Sequence, residues 1–196
     1  MAQDSVIKYK MLAIGGSAGS LEVILKIVTA LPVTTNISVF IIVHRKNDGE
    51  SIFRNLLSAR TDLPVKEIED KEEIISGIIY IAPADYHVLI ENEKMFSLDL
   101  SEKVHHSRPS IDVCFESVAE VFGKSAIAVL LSGANADGAE GIRKIQQCGG
   151  FAIVQDPESA DVGYMPQQAL EIMQPDKILS GNDIALFISK LLQPSG

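Results

Sequence analysis

Five apolar, β-branched runs recur along this chain: YKMLAIGG, SVFIIVH, GIIYIAP, SAIAVLLSG and GFAIVQD. Runs this continuous suit strands covered on both faces, and therefore a parallel sheet with a helix layer on each side. Helical patterns lie between several of them. In SLEVILKIVTALP, the positions Leu21, Ile24, Leu25, Val28 and Leu31 keep helical spacing, with Pro32 just past the end. SIDVCFESVAEVFG repeats the pattern at Ile111, Cys114, Phe115, Val118 and Phe122 and closes on Gly123. AEGIRKIQQCGG carries Ile142 and Ile145, with Gly149 placed to cap the helix end. The expected fold is α/β: a doubly wound, mainly parallel sheet in a Rossmann-like three-layer sandwich. Residues 65–100 break the rhythm. VKEIED, GIIYIAP and HVLIENEKMFSLDL read as shorter strands, the last a hairpin turning near Asn92, and are expected to form an antiparallel extension at one edge.

Composition narrows the classes of function. A chain of 196 residues with 46% hydrophobic and 22% charged residues suits one soluble domain. No apolar stretch approaches the roughly 20 residues that cross a bilayer, so no membrane insertion is expected. The opening MAQDSVIKYK lacks the apolar core of a signal peptide, which makes the cytoplasm the expected location. Cys114 and Cys148 fit reduced thiols rather than a disulfide framework. A net charge of −9 argues against nucleic acid as a partner.

In an open parallel sheet, functional side chains gather where strands end at their carboxyl edge. Ser17 follows MLAIGG, His44 directly follows SVFIIV, and Asp137 lies in the loop after AIAVLLSGANA. Together they can form a nucleophile, a general base and the group that orients the base. Each has a plainer reading: a turn serine, a histidine closing a strand, an aspartate before a helix. A glycine-rich turn after the first strand also suits a nucleotide phosphate. That reading needs an acidic residue at the end of the second strand, where this chain has His44, and GxGxxG spacing, which the chain lacks. No GxxxxGK[ST] loop occurs. A calcium loop aligned on Asn135, Asp137 and Gly138 fails because Gly133 and Lys144 stand where acids are required. No paired His or Cys spacing points to a metal. The order Ser, His, Asp also differs from the Ser, acid, His order of α/β-hydrolases.

The blocks AIGGSAGSLE, a histidine after FIIV, GIIYIAPADYHVLI, SRPSIDVCFESVA, LLSGANADGAEGI and QDPESADVGYMPQQAL occur in one order. In that order the chain resembles the CheB methylesterases, which demethylate bacterial chemoreceptors. The resemblance runs from about Tyr9 to Leu192 and rests on a highly specific combination. It implies a triad of Ser17, His44 and Asp137, hydrolysis of glutamate methyl esters on receptor cytoplasmic helices, and no cofactor or metal. Some members also deamidate receptor glutamines. It further implies that backbone amides matching Ala18 and Ala134 stabilise the oxyanion. Three positions depart from the family: Ala18 replaces threonine, Ala134 replaces the methionine of a GMGxDG loop, and Val43 replaces glutamine. Amides of any residue type can line an oxyanion hole, so the chemistry is expected to survive while the substrate cleft changes.

Family enzymes usually carry an N-terminal receiver domain. Here the expectation is a single catalytic domain over residues 1–196, with a short tail over 1–8 and no receiver domain. Two other classes stay open: a binding module that kept the fold without turnover, and a nucleotide-binding α/β protein. The stretches SEKVHHSRPS and HRKND supply cations that could meet an acidic receptor helix or merely solvate the surface.

Overall fold

The unbroken apolar run Met11–Gly16 forms strand β1, and every residue of it is buried. The computed structural model describes residues 9–45, 52–92 and 94–193; the short tail expected over residues 1–8 lies outside them. β1 is flanked by β2 (Ser38–Val43) and by β7 (Ala126–Leu130), both parallel to it. β4 (Ile79–Ile81) and β3 (Val65–Glu67) continue the sheet beyond β2, and β8 (Phe151–Gln155) and β9 (Lys177–Leu179) continue it beyond β7. All seven strands run parallel in the order β3-β4-β2-β1-β7-β8-β9. The chain therefore leaves β1 toward β2 and later returns on its other side at β7. That reversal opens a crevice at the carboxyl ends of the central strands.

Among the described residues, six α-helices cover the sheet. α1 (Leu21–Ala30), α2 (Ile52–Ser58) and α6 (Gly181–Leu191) bury one face. α3 (Ile111–Phe122), α4 (Ala139–Gln147) and α5 (Tyr164–Ile172) bury the other. Within α1 the buried stripe is Val23, Ile24, Ile27 and Val28. Leu21, counted with the apolar stripe from spacing alone, is 41% exposed because it opens the helix before the stripe turns inward. Leu31 ends α1 in extended conformation, as the residue before Pro32 prefers. Gly123 (φ 46°) and Gly149 (φ 86°) close α3 and α4 in backbone conformations that favour glycine.

The 65–100 segment divides in two, rather than forming one antiparallel extension of the sheet edge. β3 and β4 pair in parallel because the chain between them is long enough to cross back. The hairpin β5 (His87–Asn92) with β6 (Met95–Asp99) is antiparallel, as expected, but makes a separate two-stranded sheet. It packs on α3, with Val88, Ile90 and Phe96 in the same core as Phe40 and Tyr80. The Phe96 ring sits 5.4 Å from Phe40 and 5.0 Å from Tyr80, centroid to centroid. Burying a ring of this size stabilises the fold by about 1.5–3 kcal/mol, which fastens the hairpin beside the crevice.

Candidate active site

Ser17 occupies the turn that leaves β1. Its amide donates to the Ser132 carbonyl (2.9 Å), tying it to the loop after β7. Its carbonyl accepts from the Ser20 amide (3.1 Å) and from Ser20 Oγ (2.7 Å). The turn can be this tight because a Cβ on Gly16 would lie 2.6 Å from the Ser20 Cβ, so only glycine fits there. Ser132 fixes the next residue, since its buried hydroxyl donates to the Ala18 carbonyl (2.7 Å) and accepts from the Val162 amide (2.9 Å). Ala18 itself is exposed, as is Ala134 in the opposing loop. Gly133, just before Ala134, is held by bonds to the Val162 carbonyl (3.0 Å) and from the Met165 amide (2.9 Å).

His44 directly follows the last parallel pair, Gly16 with Val43, and its amide donates to the Gly16 carbonyl (3.3 Å). Ser17 and His44 are thus neighbouring residues on adjacent strand ends. The imidazole is only 13% exposed and donates from Nε2 to Asp137 Oδ2 (2.7 Å). Its Nδ1 lies 3.5 Å from Ser107 Oγ, which in turn accepts from Asn135 Nδ2 (3.4 Å). The structure therefore joins His44 and Asp137 through their side chains and brings Ser17 beside His44 through the backbone. Ser17 Oγ makes no hydrogen bond to the ring in this arrangement.

The Asp137 side chain is fully buried and sits on the N-terminus of α3. Oδ2 accepts from His44 and from the Ile111 amide (2.7 Å); Oδ1 accepts from Ser110 Oγ (2.7 Å) and the Asp112 amide (3.0 Å). Burial pushes this carboxyl up, but the bonds from His44, from the Asp112 and Ile111 amides and from Ser110 outweigh it. They hold it below the usual carboxylate range. An ionised carboxylate can only accept, so His44 must carry its proton on Nε2, leaving the Nδ1 lone pair to accept another. The helix N-terminus stabilises the charge as it would any anion.

Sequence reasoning missed Ser110, Asp112, Ser132 and the Ser107–Asn135 pair. Ser110 carried a visible signal, being an N-cap serine before an apolar helical pattern; its hydroxyl also accepts from the Val113 amide (3.4 Å). Asp112 is nearly buried, takes the Gly141 amide (2.7 Å) and faces His105 Nε2 (3.2 Å). Burial, reinforced by the charge on Asp137 and opposed by the Gly141 amide and His105, raises it to about 6. His105, Asp112 and Asp137 come close enough to contact one cation, a grouping their sequence spacing did not show. The two carboxylates already accept from the amides and side chains just named, so a cation would have to displace those donors. His87 is a core histidine: Nδ1 accepts from the Ser110 amide (3.0 Å) and Nε2 donates to the Glu102 carbonyl (3.0 Å). Both cysteines are free, and burial pushes the Cys114 thiol up to about 12, which leaves it unreactive.

Known proteins share this arrangement of chain and fold. A sequence model of the family described as CheB methylesterase matches residues 12–188. A protein of Leptospira interrogans, provisionally named protein-glutamate methylesterase/protein-glutamine glutaminase, is 44% identical over 185 residues, covering 93% of this chain and 95% of its own. A Hydrogenovibrio crunogenus protein named protein-glutamate methylesterase/protein-glutamine glutaminase is 34% identical over 87% of this chain, a match that spans 46% of its length. The crystal structure of the Thermotoga maritima CheB methylesterase catalytic domain superimposes with a TM-score of 0.85 at 31% identity, covering 94% of this chain and 100% of that one. The chain belongs to the CheB methylesterase family.

Proposed function

We propose that the protein is a serine hydrolase that cleaves glutamate methyl esters on the cytoplasmic helices of chemoreceptors, acting in the cytoplasm. Ser17 is the nucleophile, His44 the general base and Asp137 the group that orients the base. The observation that carries this reading is the 2.7 Å bond from His44 Nε2 to a buried, ionised Asp137. It fixes the tautomer whose Nδ1 accepts a proton at the end of β2, beside Ser17. A dinucleotide site would need a ribose-binding acid at that same strand end, and His44 occupies it as one half of a proton-transfer pair.

His44 Nδ1 takes the Ser17 proton as Oγ bonds to the ester carbonyl carbon. The carbonyl oxygen becomes an oxyanion, which the amides of Ala18 and Ala134 stabilise. When the tetrahedral centre collapses, the carbon–methoxide bond breaks and methoxide leaves as methanol with the proton from His44. Water, deprotonated by the same nitrogen, then cleaves the acyl-serine and restores Ser17 and a glutamate. Asp137 offsets the positive charge on the imidazolium in both halves. A glutamine side chain enters the same acyl-enzyme with ammonia leaving, which accommodates the glutaminase activity in the names of the two relatives. Among the described residues no helix is long and apolar enough to cross a membrane.

Methanol release from a methylated receptor fragment, together with fluorophosphonate labelling, tests the reading. Wild type should release methanol and take up the probe on Ser17, and Ser17→Ala should do neither. Labelling without methanol release would sink the substrate assignment; release that survives Ser17→Ala would sink the acyl-enzyme.

A further inference from the structure

The crevice beside His44 widens into an open cleft of about 370 Å³ in which, among the described residues, the cations Arg45, Lys103 and Arg108 lie with the imidazole of His106 and the carboxylate of Asp85. Such a concentration of cations is unexpected in a chain of net charge −9. Arg45 pairs with Glu67, so its charge is largely matched. Arg108 is different. Its Nη1 donates to two backbone carbonyls, Leu100 (3.0 Å) and Ser101 (2.9 Å), which hold the guanidinium in place without neutralising it. Asp99 feels that charge only weakly, its carboxylate instead accepting hydrogen bonds from the Ser101 amide and hydroxyl. Lys103 is exposed at the mouth.

The segment that carries these groups is a built turn. Val104 and Ser107 pair across it, amide to carbonyl both ways (3.2 and 2.9 Å). The two residues at its tip, His105 and His106, both take left-handed backbone conformations (φ 49° and 61°). A two-residue hairpin of this kind normally takes Asn-Gly or Gly-Gly. Non-glycine residues there carry roughly 1–2 kcal/mol of strain each, and strain of this sort gathers where a ligand must be met. The turn sends His105 toward Asp112 on α3, His106 and Lys103 into the cleft, and Ser107 toward His44 Nδ1. Of the second cationic stretch, HRKND, the residues from Lys46 onward lie outside the described ones.

We propose that the 103–108 turn is an acid-recognition subsite, in which Lys103, His106 and Arg108 hold a carboxylate of the protein substrate that flanks the scissile ester. This rests on the methylesterase reading above. A methyl ester is small and uncharged, so it offers little to grip, whereas a neighbouring acidic side chain gives a fixed guanidinium something to bind. The subsite would select, among glutamyl esters, those set in acidic sequence.

Two synthetic helical peptides test it, each with one glutamate methyl ester, flanked in one by glutamates and in the other by glutamines. Methanol release gives kcat/KM, and fluorescence anisotropy with Ser17→Ala protein gives binding without turnover. Wild type should prefer the acidic peptide roughly three- to tenfold at low salt, through KM rather than kcat, and the preference should collapse at high salt. Lys103→Glu should abolish or reverse the preference. Lys177→Glu, which changes net charge equally at the exposed far-edge strand β9, should leave it intact. Equal binding of both peptides by the Ser17→Ala protein, or a preference that survives Lys103→Glu, would overturn the subsite. Preferential binding with no methanol from either peptide would uphold the subsite and overturn the methylesterase reading instead.

Discussion

Replacing Asp137 by asparagine changes one atom's identity at the point where four hydrogen-bond donors converge. The carboxylate accepts from His44, Ser110, Ile111 and Asp112 at 2.7–3.0 Å. Asparagine offers one acceptor oxygen and an NH2 group that cannot accept. If the oxygen keeps Ile111 and His44, the NH2 opposes Ser110 and the Asp112 amide. Ser110 can rotate away; the amide cannot. If the NH2 faces His44 instead, the ring must take its other tautomer and present an N–H where Ser17 needs an acceptor. A buried donor left without a partner costs about 1–3 kcal/mol, so Asp137→Asn should lose roughly 2–4 kcal/mol of stability. Its turnover should fall by about 10³–10⁴, the scale of a wrong-tautomer defect in a triad. The assay pairs initial rates of methanol release with urea unfolding of the same preparation. Turnover within tenfold of wild type would show that this carboxylate does not set the orientation of His44. Unchanged stability would show that it does not hold the start of α3.

Ser17→Ala and His44→Ala should each lower kcat by up to about a million-fold and the double variant by little more, since triad members act as a unit; additive losses in methanol release would contradict this. Asp137→Ala should be milder than either, near 10⁴, because the base survives without its orientation. Gly138→Ala should destabilise by about 2–3 kcal/mol in thermal unfolding, because φ is +96° and the new Cβ would lie 2.5 Å from the Leu130 Cδ1 and 2.8 Å from the Ile111 Cγ2. The two buried aspartates should pull stability in opposite directions with pH. Asp137, held below its ordinary value, adds stability that is present above about pH 4 and lost as pH falls through its folded value. Asp112, raised to about 6, favours the protonated fold, so its contribution fades as pH climbs from about 4 through 6. Asp112→Asn should therefore flatten the fall in stability between pH 4 and 6.5, read by denaturant titration at each pH.

Much of this architecture could be read along the chain because strand ends in a parallel sheet share an edge. That geometry alone brings Ser17, His44 and the loop of Asp137 together although 120 residues separate the first from the last. The places where reading failed have physical causes. Val65–Glu67 and Ile79–Ile81 are three residues each, too short to show whether they pair parallel or antiparallel. Lys177–Leu179 is equally short and mostly exposed, and so lacked the apolar run that marked the other strands. The hairpin was visible, but its docking on α3 depends on Phe96 meeting Phe40 and Tyr80, contacts no local pattern encodes. Ser110 announced itself as a helix cap, yet its partner Asp137 lies 27 residues on. The Ser107 approach to His44 spans 63 residues and follows from a strained turn that composition does not foretell.

In the proposed mechanism, the seating of Asp137 on α3 ties the aim of the base to a backbone opening. Amide exchange at Ile111 and Asp112 requires the first turn of the helix to come away from the carboxylate. That same excursion withdraws the acceptor that orients His44, so the protection factor of those two amides also counts the fraction of molecules with an aimed imidazole. A sub-global fluctuation of this sort spans far less free energy than unfolding the sheet. Unwinding one turn of α3 would therefore disarm the esterase while every strand, and Ser17 itself, stayed in place.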